Sequence, residues 1–362
     1  MGLVVTSLGL RNWRNFSERH LDLSPTMTVL CGSNAVGKTN TVEALQMLTA
    51  GTSFRKPKPS QLVREDCDSA SISARMEGDG RVVDVACVVE PGKRRFERNG
   101  KRCHASDMPQ TLMSVLFNPD DLSFVKRGAS YRRDELDGFG RQANHGYAKL
   151  LSAYGRAVEQ RNRLLKEGHP DLSLLDAWDA SVALGGATLL SARVRLFERL
   201  RGHISAIYGQ ISDGERLECT YQCSLGSDVL GLSRDQITDA FLSRLGEVRG
   251  EELRRGQTLI GPQRDDLAFT IDGRDARAFG SQGQQRSIVL AWKMAEVELA
   301  REVVGEQPLL LLDDVMSELD AHRRASMTRF VQSGIQTVVT TTNLGYFPDD
   351  LLEGAKVVEI GG

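Results

Sequence analysis

Thr28-Val29-Leu30-Cys31 runs without a break into Gly32-Ser33-Asn34-Ala35-Val36-Gly37-Lys38-Thr39, and that loop into Asn40 through Thr49. The first four residues read as a compact apolar strand. The last stretch carries Val42, Leu45, Gln46 and Leu48 at helical spacing and contains no breaker. Between them, eight residues match G-x-x-x-x-G-K-[ST] at every fixed position. Glycines let the backbone close in on phosphate oxygens, so that its N–H groups point inward. A helix beginning near Gly37 adds the positive end of its dipole. In this pattern Lys38 reaches the β- and γ-phosphates and Thr39 ligates Mg²⁺. Strand, glycine loop and helix together predict an α/β nucleotide-binding fold, with ATP and Mg²⁺ as its ligands.

Working outward, Leu309-Leu310-Leu311-Leu312 reads as a strand buried on both faces, ending in Asp313-Asp314. Taken alone, an apolar strand ending in acids is common. Beside the glycine loop it gains a meaning, one carboxylate at the metal and one at the attacking water. A third element is Phe279-Gly280-Ser281-Gln282-Gly283-Gln284-Gln285-Arg286, opening a long helix. Its first turn is either a plain N-cap or a second anion site. One chain has no need of two such sites, so the economical reading is that the serine turn of one copy closes on the nucleotide of another.

The bulk properties set limits. The 362 residues suffice for one large core or two ordinary ones, and 40 % hydrophobic with 26 % charged residues reads as soluble and globular. A net charge of −2 gives no global attraction to nucleic acid, so any DNA surface is a local patch. No apolar run reaches the ~20 residues of a membrane span, and Met1 to Leu10 lacks the basic stretch and cleavage site of a signal peptide, which predicts a cytoplasmic chain. Six scattered cysteines do not suggest a disulfide framework, and Cys219 with Cys223 reads as a strand edge before it reads as a zinc site. Residues 70–117 predict strands, with Asn99-Gly100 as a hairpin turn. Tyr147–Lys166 and Leu172–Gln210 predict helices broken at Gly168-His169-Pro170, and Ser233 caps a further helix to Val248. Val357 to Ile360 predicts an edge strand.

The phosphate loop, the Ser281 turn, Asp313-Asp314 and Ser317-Glu318-Leu319-Asp320 resemble an ABC-type ATPase. Lys38 and Asp313 are 275 residues apart (313 − 38), more than in transporter ATPases and similar to the DNA-repair and SMC-like branch. Within that branch the chain resembles the RecF family. Four stretches carry the likeness: Arg11 to Phe16, Asn118 to Asp121 through Tyr131-Arg132-Arg133, Gly261-Pro262-Gln263-Arg264-Asp265-Asp266-Leu267, and Leu312 to Asp320. Departures are Arg127, Ala129 and Glu135, where the family has glycine, proline and an aromatic residue, and Gln263, where it has histidine.

The resemblance implies an ABC-type P-loop ATPase head with a mixed β lobe I (1–125 and 306–362) and a mostly helical lobe II (126–305). It implies that Gly32 to Asn40 cradle ATP, that Thr39 and Asp313 hold Mg²⁺, and that Asn118 stands where related ATPases place a metal- and water-sensing glutamine. Ser281, Gly283 and Gln284 would reach the γ-phosphate held by a second copy, Asp320 would contact across the dimer, and Asp314 and Lys38 would be catalytic. It further implies slow, DNA-stimulated ATP hydrolysis, sequence-independent DNA binding near single-strand gaps, RecR and RecO as partners, and RecA loading in recombinational repair, replication restart and the SOS response. An aspartate in place of the usual glutamate base, and Thr341, Thr342 and Asn343 in place of a switch histidine, suit a timed switch. The hairpin cations Lys93, Arg94, Arg95, Arg98, Lys101 and Arg102, opposed only by Glu97, are the DNA candidates, weighed against a merely solvated charged hairpin. A transport ATPase subunit and a non-hydrolysing ATP-binding scaffold are the competing readings.

Overall fold

The computed structural model describes residues 2–212 and 214–361; Met1 and Gly362, which end the expected outer segments, and Asp213 lie outside the described residues. In chain order the strands are β1 (Val4–Trp13), β2 (Phe16–Asp22), β3 (Met27–Cys31), β4 (Ala70–Gly78), β5 (Arg81–Glu90), β6 (Lys93–Arg98), β7 (Lys101–Cys103), β8 (Ser114–Phe117), β9 (Leu217–Gln222), β10 (Asp266–Ile271), β11 (Arg274–Asp275), β12 (Leu309–Asp313), β13 (Thr337–Thr341) and β14 (Lys356–Glu359). The helices are α1 (Lys38–Ala50), α2 (Ala129–Ala143), α3 (Tyr147–Leu165), α4 (Leu172–Ile211), α5 (Arg234–Arg255), α6 (Gln282–Val304), α7 (Ala321–Val331) and α8 (Asp349–Glu353). Among the described residues no helix is long and apolar enough to cross a membrane.

Two units result. The first holds Met1–Ser123, Gln210–Ser212 and Arg286–Gly362; the second holds Phe124–Gly209 and Asp213–Gln285. The expected lobe boundary after residue 305 falls instead between Gln285 and Arg286. Most of α6 is tied into the first unit, where Arg286 donates to the Glu318 carbonyl, Ser287 accepts from Arg323 at 3.0 Å and Lys293 pairs with Asp121 at 3.8 Å. A helical pattern reads the same whichever layer it packs on, so this allocation is tertiary.

In the first unit an antiparallel sheet runs β2-β1-β4-β5-β6-β7 and a parallel sheet runs β14-β3-β13-β12-β8. Helix α1 packs on strands of both sheets, and Val42, Leu45, Met47 and Leu48 are buried there. Every residue of β12 and β13 is buried, as expected of central parallel strands covered on both faces. The Asn99-Gly100 turn joins β6 to β7 with both residues at positive φ, and β14 is an edge strand. Both agree with the sequence pattern.

In the second unit α2 to α5 accompany the small sheet β11-β10-β9. Ser233 caps α5 as expected, accepting from the Gln236 N–H. The helix continues past Val248 to Arg255, through Gly250, which weakens local propensity. Glu252 in that extension is wholly buried and bonded to Arg161 at 2.6 Å, a contact that no local pattern reveals.

Candidate functional site

The order β14-β3-β13-β12-β8 places one strand, β13, between the strand that feeds the phosphate loop and the strand that ends in Asp313. All are parallel, so their carboxyl ends converge, the usual position of a ligand in an open parallel sheet. Asp313 lies in register with Thr340, and Leu312 with Phe117, so Asn118 follows directly beside the acidic end.

The loop is gripped from below by the β1–β2 hairpin. Asn15 donates to the Val36 carbonyl at 2.9 Å, and Trp13 donates its indole N–H to the Asn40 carbonyl at 2.8 Å. Gly37 has φ +113°, and a β-carbon there would lie 2.4 Å from the Phe16 ring, so no side chain is tolerated. The stretch Arg11 to Phe16 thus acts by positioning the loop. Arg14 adds a buried anchor under α1, holding both Glu43 oxygens at 2.9 and 2.7 Å, while Arg55 meets Glu43 at 3.4 Å and Asn40 at 2.8 Å.

Lys38 is almost wholly buried and donates to the carbonyls of Gly32 and Ser33, each at 2.8 Å. Helix α1 opens without a capping side chain and without an acid in its first turn. Its leading N–H groups are therefore left for an acceptor from outside the helix, and with Lys38 they fit a phosphate. Ser33, Asn34 and Ala35 form the exposed rim of the loop and Val36 is half-buried.

Thr39 donates to Asp313 Oδ1 at 3.0 Å, and Thr340 donates to the same oxygen at 2.8 Å. The Asp313 carboxyl is raised above the usual range by burial, against the pull of these hydroxyls and of Arg55. Asp314 is raised too, by burial first, with Lys38 opposing and Glu318 adding. Its backbone is left-handed (φ +54°), its N–H is fixed to Thr340 at 2.8 Å, and its Oδ1 is buried with no hydrogen-bond partner among the described residues. An orphaned carboxylate oxygen beside a hydroxyl–carboxylate pair is a donor set for a hard cation and its water.

Elsewhere the predicted residues are placed more modestly. Asn118 is buried, with its amide oxygen accepting from the Asp120 N–H at 2.8 Å. Asp320 caps α7 through the Arg323 N–H at 3.0 Å; burial works against its charge, yet the Arg323 contacts hold its carboxyl below the usual range. Ser281 and Gln284 form a reciprocal capping pair, 3.1 and 2.8 Å, and Gln284 also donates to Glu215 at 2.6 Å. The Gln284 side chain is thus bonded at both ends, while the Ser281 O–H proton and the Gly283 backbone are presented at the helix start. The hairpin is less unopposed than its sequence suggests. Glu90 of β5 pairs with Lys93 at 2.8 Å and with Arg95 at 3.1 Å.

Comparison with known proteins follows from this geometry. The family described as the RecF/RecN/SMC N terminal domain matches residues 4–350. The DNA replication and repair protein RecF of Gloeobacter violaceus is 37 % identical over 365 residues, covering 99 % of this chain and 97 % of that protein. The chain belongs to the RecF family. The RecF of Pelotomaculum thermopropionicum is likewise 37 % identical, over 370 residues and 99 % of each chain. Among solved structures, the recombination mediator protein RecF-ATPrS in the RecFOR pathway superposes with a TM-score of 0.89 at 30 % identity, covering 96 % of this chain and 94 % of that one. An SMC head bound to the C-winged helix domain of ScpA, at 16 % identity and TM-score 0.57 over 98 % and 93 % of the two chains, shares the fold. The architecture is therefore the RecF/SMC ATPase head, as the motif order implied.

Sequence reasoning missed three parts of this RecF-family site. Thr340, which positions both acids, was signalled only by a run of threonines in an otherwise apolar strand. Glu43 was signalled by an acid on the buried face of α1. Arg55 carries no local signal; only the fold brings it to Asn40.

Proposed function

We propose that this chain is an ATP-gated, DNA-binding recombination mediator of the RecF type. Lys38 and the first N–H groups of α1 hold the triphosphate of ATP. Thr39 and Asp313 hold Mg²⁺, and Asp314 Oδ1 takes the proton of the attacking water. Bound Mg–ATP supplies the phosphoanhydride whose cleavage ends the closed state. A second copy, placed head to tail, offers its Ser281 hydroxyl and Gly283 backbone to the γ-phosphate, with Gln284 bracing that turn and Asp320 at the contact. The observation that carries the reading is the Thr39–Asp313–Thr340 set beside the orphaned Asp314 oxygen. The RecFOR pathway named for the RecF-ATPrS structure supports RecR and RecO as partners, and RecA loading at gaps is the outcome that the family resemblance implies.

Hydrolysis is slow in this reading because aspartate is shorter than the usual glutamate base and holds water less closely. Asp314→Asn is expected to keep ATP affinity and lose about 100-fold or more in turnover. The parent needs an ionised Asp314. Protonation of that carboxyl therefore makes turnover fall with acidification, and the variant's residual rate lacks that limb. Single-turnover rates from pH 4 to 8 read this; an unchanged rate in Asp314→Asn removes it as the base.

The hairpin borders a groove of about 950 Å³ lined by Arg94, Arg98, Lys101, Arg102 and His104. Arg94, Lys101 and Arg102 make no ion pair among the described residues, in contrast to Lys93 and Arg95. They are the cations free for DNA phosphates. Sedimentation with ATP, with ADP and without nucleotide, each with and without duplex DNA, tests the whole reading. ATP alone is expected to give a dimer that retains DNA. Arg94→Ala, Lys101→Ala and Arg102→Ala together are expected to lower the salt slope of DNA binding by about 0.9 for each lost contact, leaving the dimer intact. A monomer under all conditions overturns the gating, and an unchanged slope overturns the hairpin site.

A further inference from the structure

Two stretches singled out in the sequence play no part in the nucleotide site: Tyr131-Arg132-Arg133 and the run from Gly261 to Leu267. The helical unit brings them together. Arg132 is buried and holds both Asp266 oxygens at 2.7 and 2.8 Å. Arg133 donates to the Asp265 carbonyl at 2.5 Å. Asp265 itself accepts from the Tyr221 hydroxyl at 2.7 Å and the Ser224 N–H at 2.8 Å. Gly261 turns at φ +111°, where a β-carbon would stand 2.4 Å from the Tyr154 hydroxyl. That close approach lets Tyr154 reach the Gln263 amide oxygen. The two stretches therefore fix one another rigidly.

What they enclose is a cleft of about 230 Å³ between α2, α3, α4 and the Gly261 turn. One wall is apolar, with Leu151, Val158 and Leu189, and the bare backbone of Gly155 leaves open space beside it. The other wall is charged. Arg193 and Asp137 close on each other through both carboxylate oxygens, at 3.0 and 2.9 Å, and Tyr147 donates to Asp137 at 2.6 Å, so that pair is neutral and saturated. Asp134 is exposed to solvent at the rim, and its charge acts on the neighbouring Arg133. Arg133 is half-buried and forms no ion pair among the described residues. A guanidinium stays charged and has five donors, of which the Asp265 carbonyl occupies one. Burial, and Arg193 next, hold the Arg133 pKa below its ordinary value, against the opposing charges of Asp266, Asp265 and Asp134.

We infer that this cleft is a binding site for a carboxylate carried on a short branched apolar body, with Arg133 as its counter-ion and the α3–α4 wall as its apolar seat. Either a free small organic acid or the C-terminal residue of another protein presents that chemistry. The site lies wholly in the helical unit, so its failure leaves the nucleotide reading untouched.

Saturation-transfer NMR on the full chain with 3-methylbutanoate, 3-methylbutanamide and 3-methylbutylammonium tests it. The carboxylate is expected to bind at least about tenfold more tightly than the amide, because a charge-assisted bond is lost, and the ammonium is expected not to bind. Gly155→Leu fills the cleft at a helical position where added atoms meet nothing, so it is expected to fold at least as stably as the parent and to lose the signal. Arg133→Gln is expected to erase the preference for carboxylate over amide. Acetyl-Gly-Gly-Leu with a free or an amidated C-terminus distinguishes the sources: a free peptide that competes with 3-methylbutanoate supports a protein terminus, and one that does not supports a free acid. Equal binding of carboxylate and amide by the parent, no binding of any probe, or full binding by Gly155→Leu overturns the inference.

Discussion

Lys38→Ala is expected to weaken ATP binding by at least about 100-fold and to abolish measurable hydrolysis. Its ammonium is the one cation built into the phosphate loop, almost buried, and held by the Gly32 and Ser33 carbonyls at 2.8 Å. A buried ammonium with two carbonyl acceptors is already desolvated, so it meets phosphate oxygens without a further dehydration cost. Alanine removes that charge and leaves the two carbonyls facing the incoming phosphate. Lys38→Arg is the sharper probe. It keeps the charge but replaces a compact ammonium with a longer planar fork, so some nucleotide binding survives while turnover does not. Titration of a fluorescent ATP analogue and single-turnover hydrolysis read the two effects separately. The arginine variant is expected to accumulate as an ATP-dependent dimer that persists on DNA. Parent-like turnover in Lys38→Ala removes this loop from the chemistry, and an arginine variant that neither dimerises nor persists removes the timing role.

The largest effect on stability is expected in the helical unit, at Arg161. The side chain is wholly inaccessible and bridges three elements: Asp179 of α4 at 2.5 Å, Glu252 of α5 at 2.6 Å, and Thr258 at 2.9 Å in the run that leads to Gly261. Arg161→Leu takes a cation from two buried carboxylates. Asp179 keeps Arg249 at 2.5 Å, but among the described residues Glu252 keeps only the Leu259 N–H at 2.8 Å. Breaking one side of a buried ion pair in this way costs about 3–5 kcal/mol, a large share of the ~5–15 kcal/mol that holds a whole domain. Urea unfolding followed by circular dichroism is expected to show the helical transition moved to much lower denaturant. Arg163→Ala, two residues further along α3 and paired to Glu159 in open solvent, is expected to leave the midpoint unchanged. Equal midpoints for Arg161→Leu and the parent show that the network contributes nothing net.

The outcome at α5 and α6 shows where local reading stops. The start of α5 was legible because Ser233 and Gln236 form a cap within four residues of each other. Its end was not, because the Glu252–Arg161 pair spans α5 and α3. Helix α6 was legible as a helix, but its membership in the first unit depends on Glu318, Arg323 and Asp121. The hairpin cations were legible as a cluster, but Glu90, which neutralises part of it, sits on the neighbouring strand.

The sequence by itself determined the phosphate loop, the acidic strand end, the Ser281 turn and the RecF likeness. The first three are short runs whose spacing and chemistry are complete within a few neighbouring residues, and the likeness is carried by four such runs. Tertiary structure alone decided that Thr340 joins the Thr39–Asp313 pair, since the parallel order of β3, β13 and β12 sets those neighbours. It also decided that Asp314 keeps an orphaned oxygen and that Arg133 faces a cleft with no ion pair among the described residues. The physical reason is the same in each case. Burial and pairing depend on which distant groups the fold leaves within hydrogen-bond reach, and spacing along the chain carries no record of that.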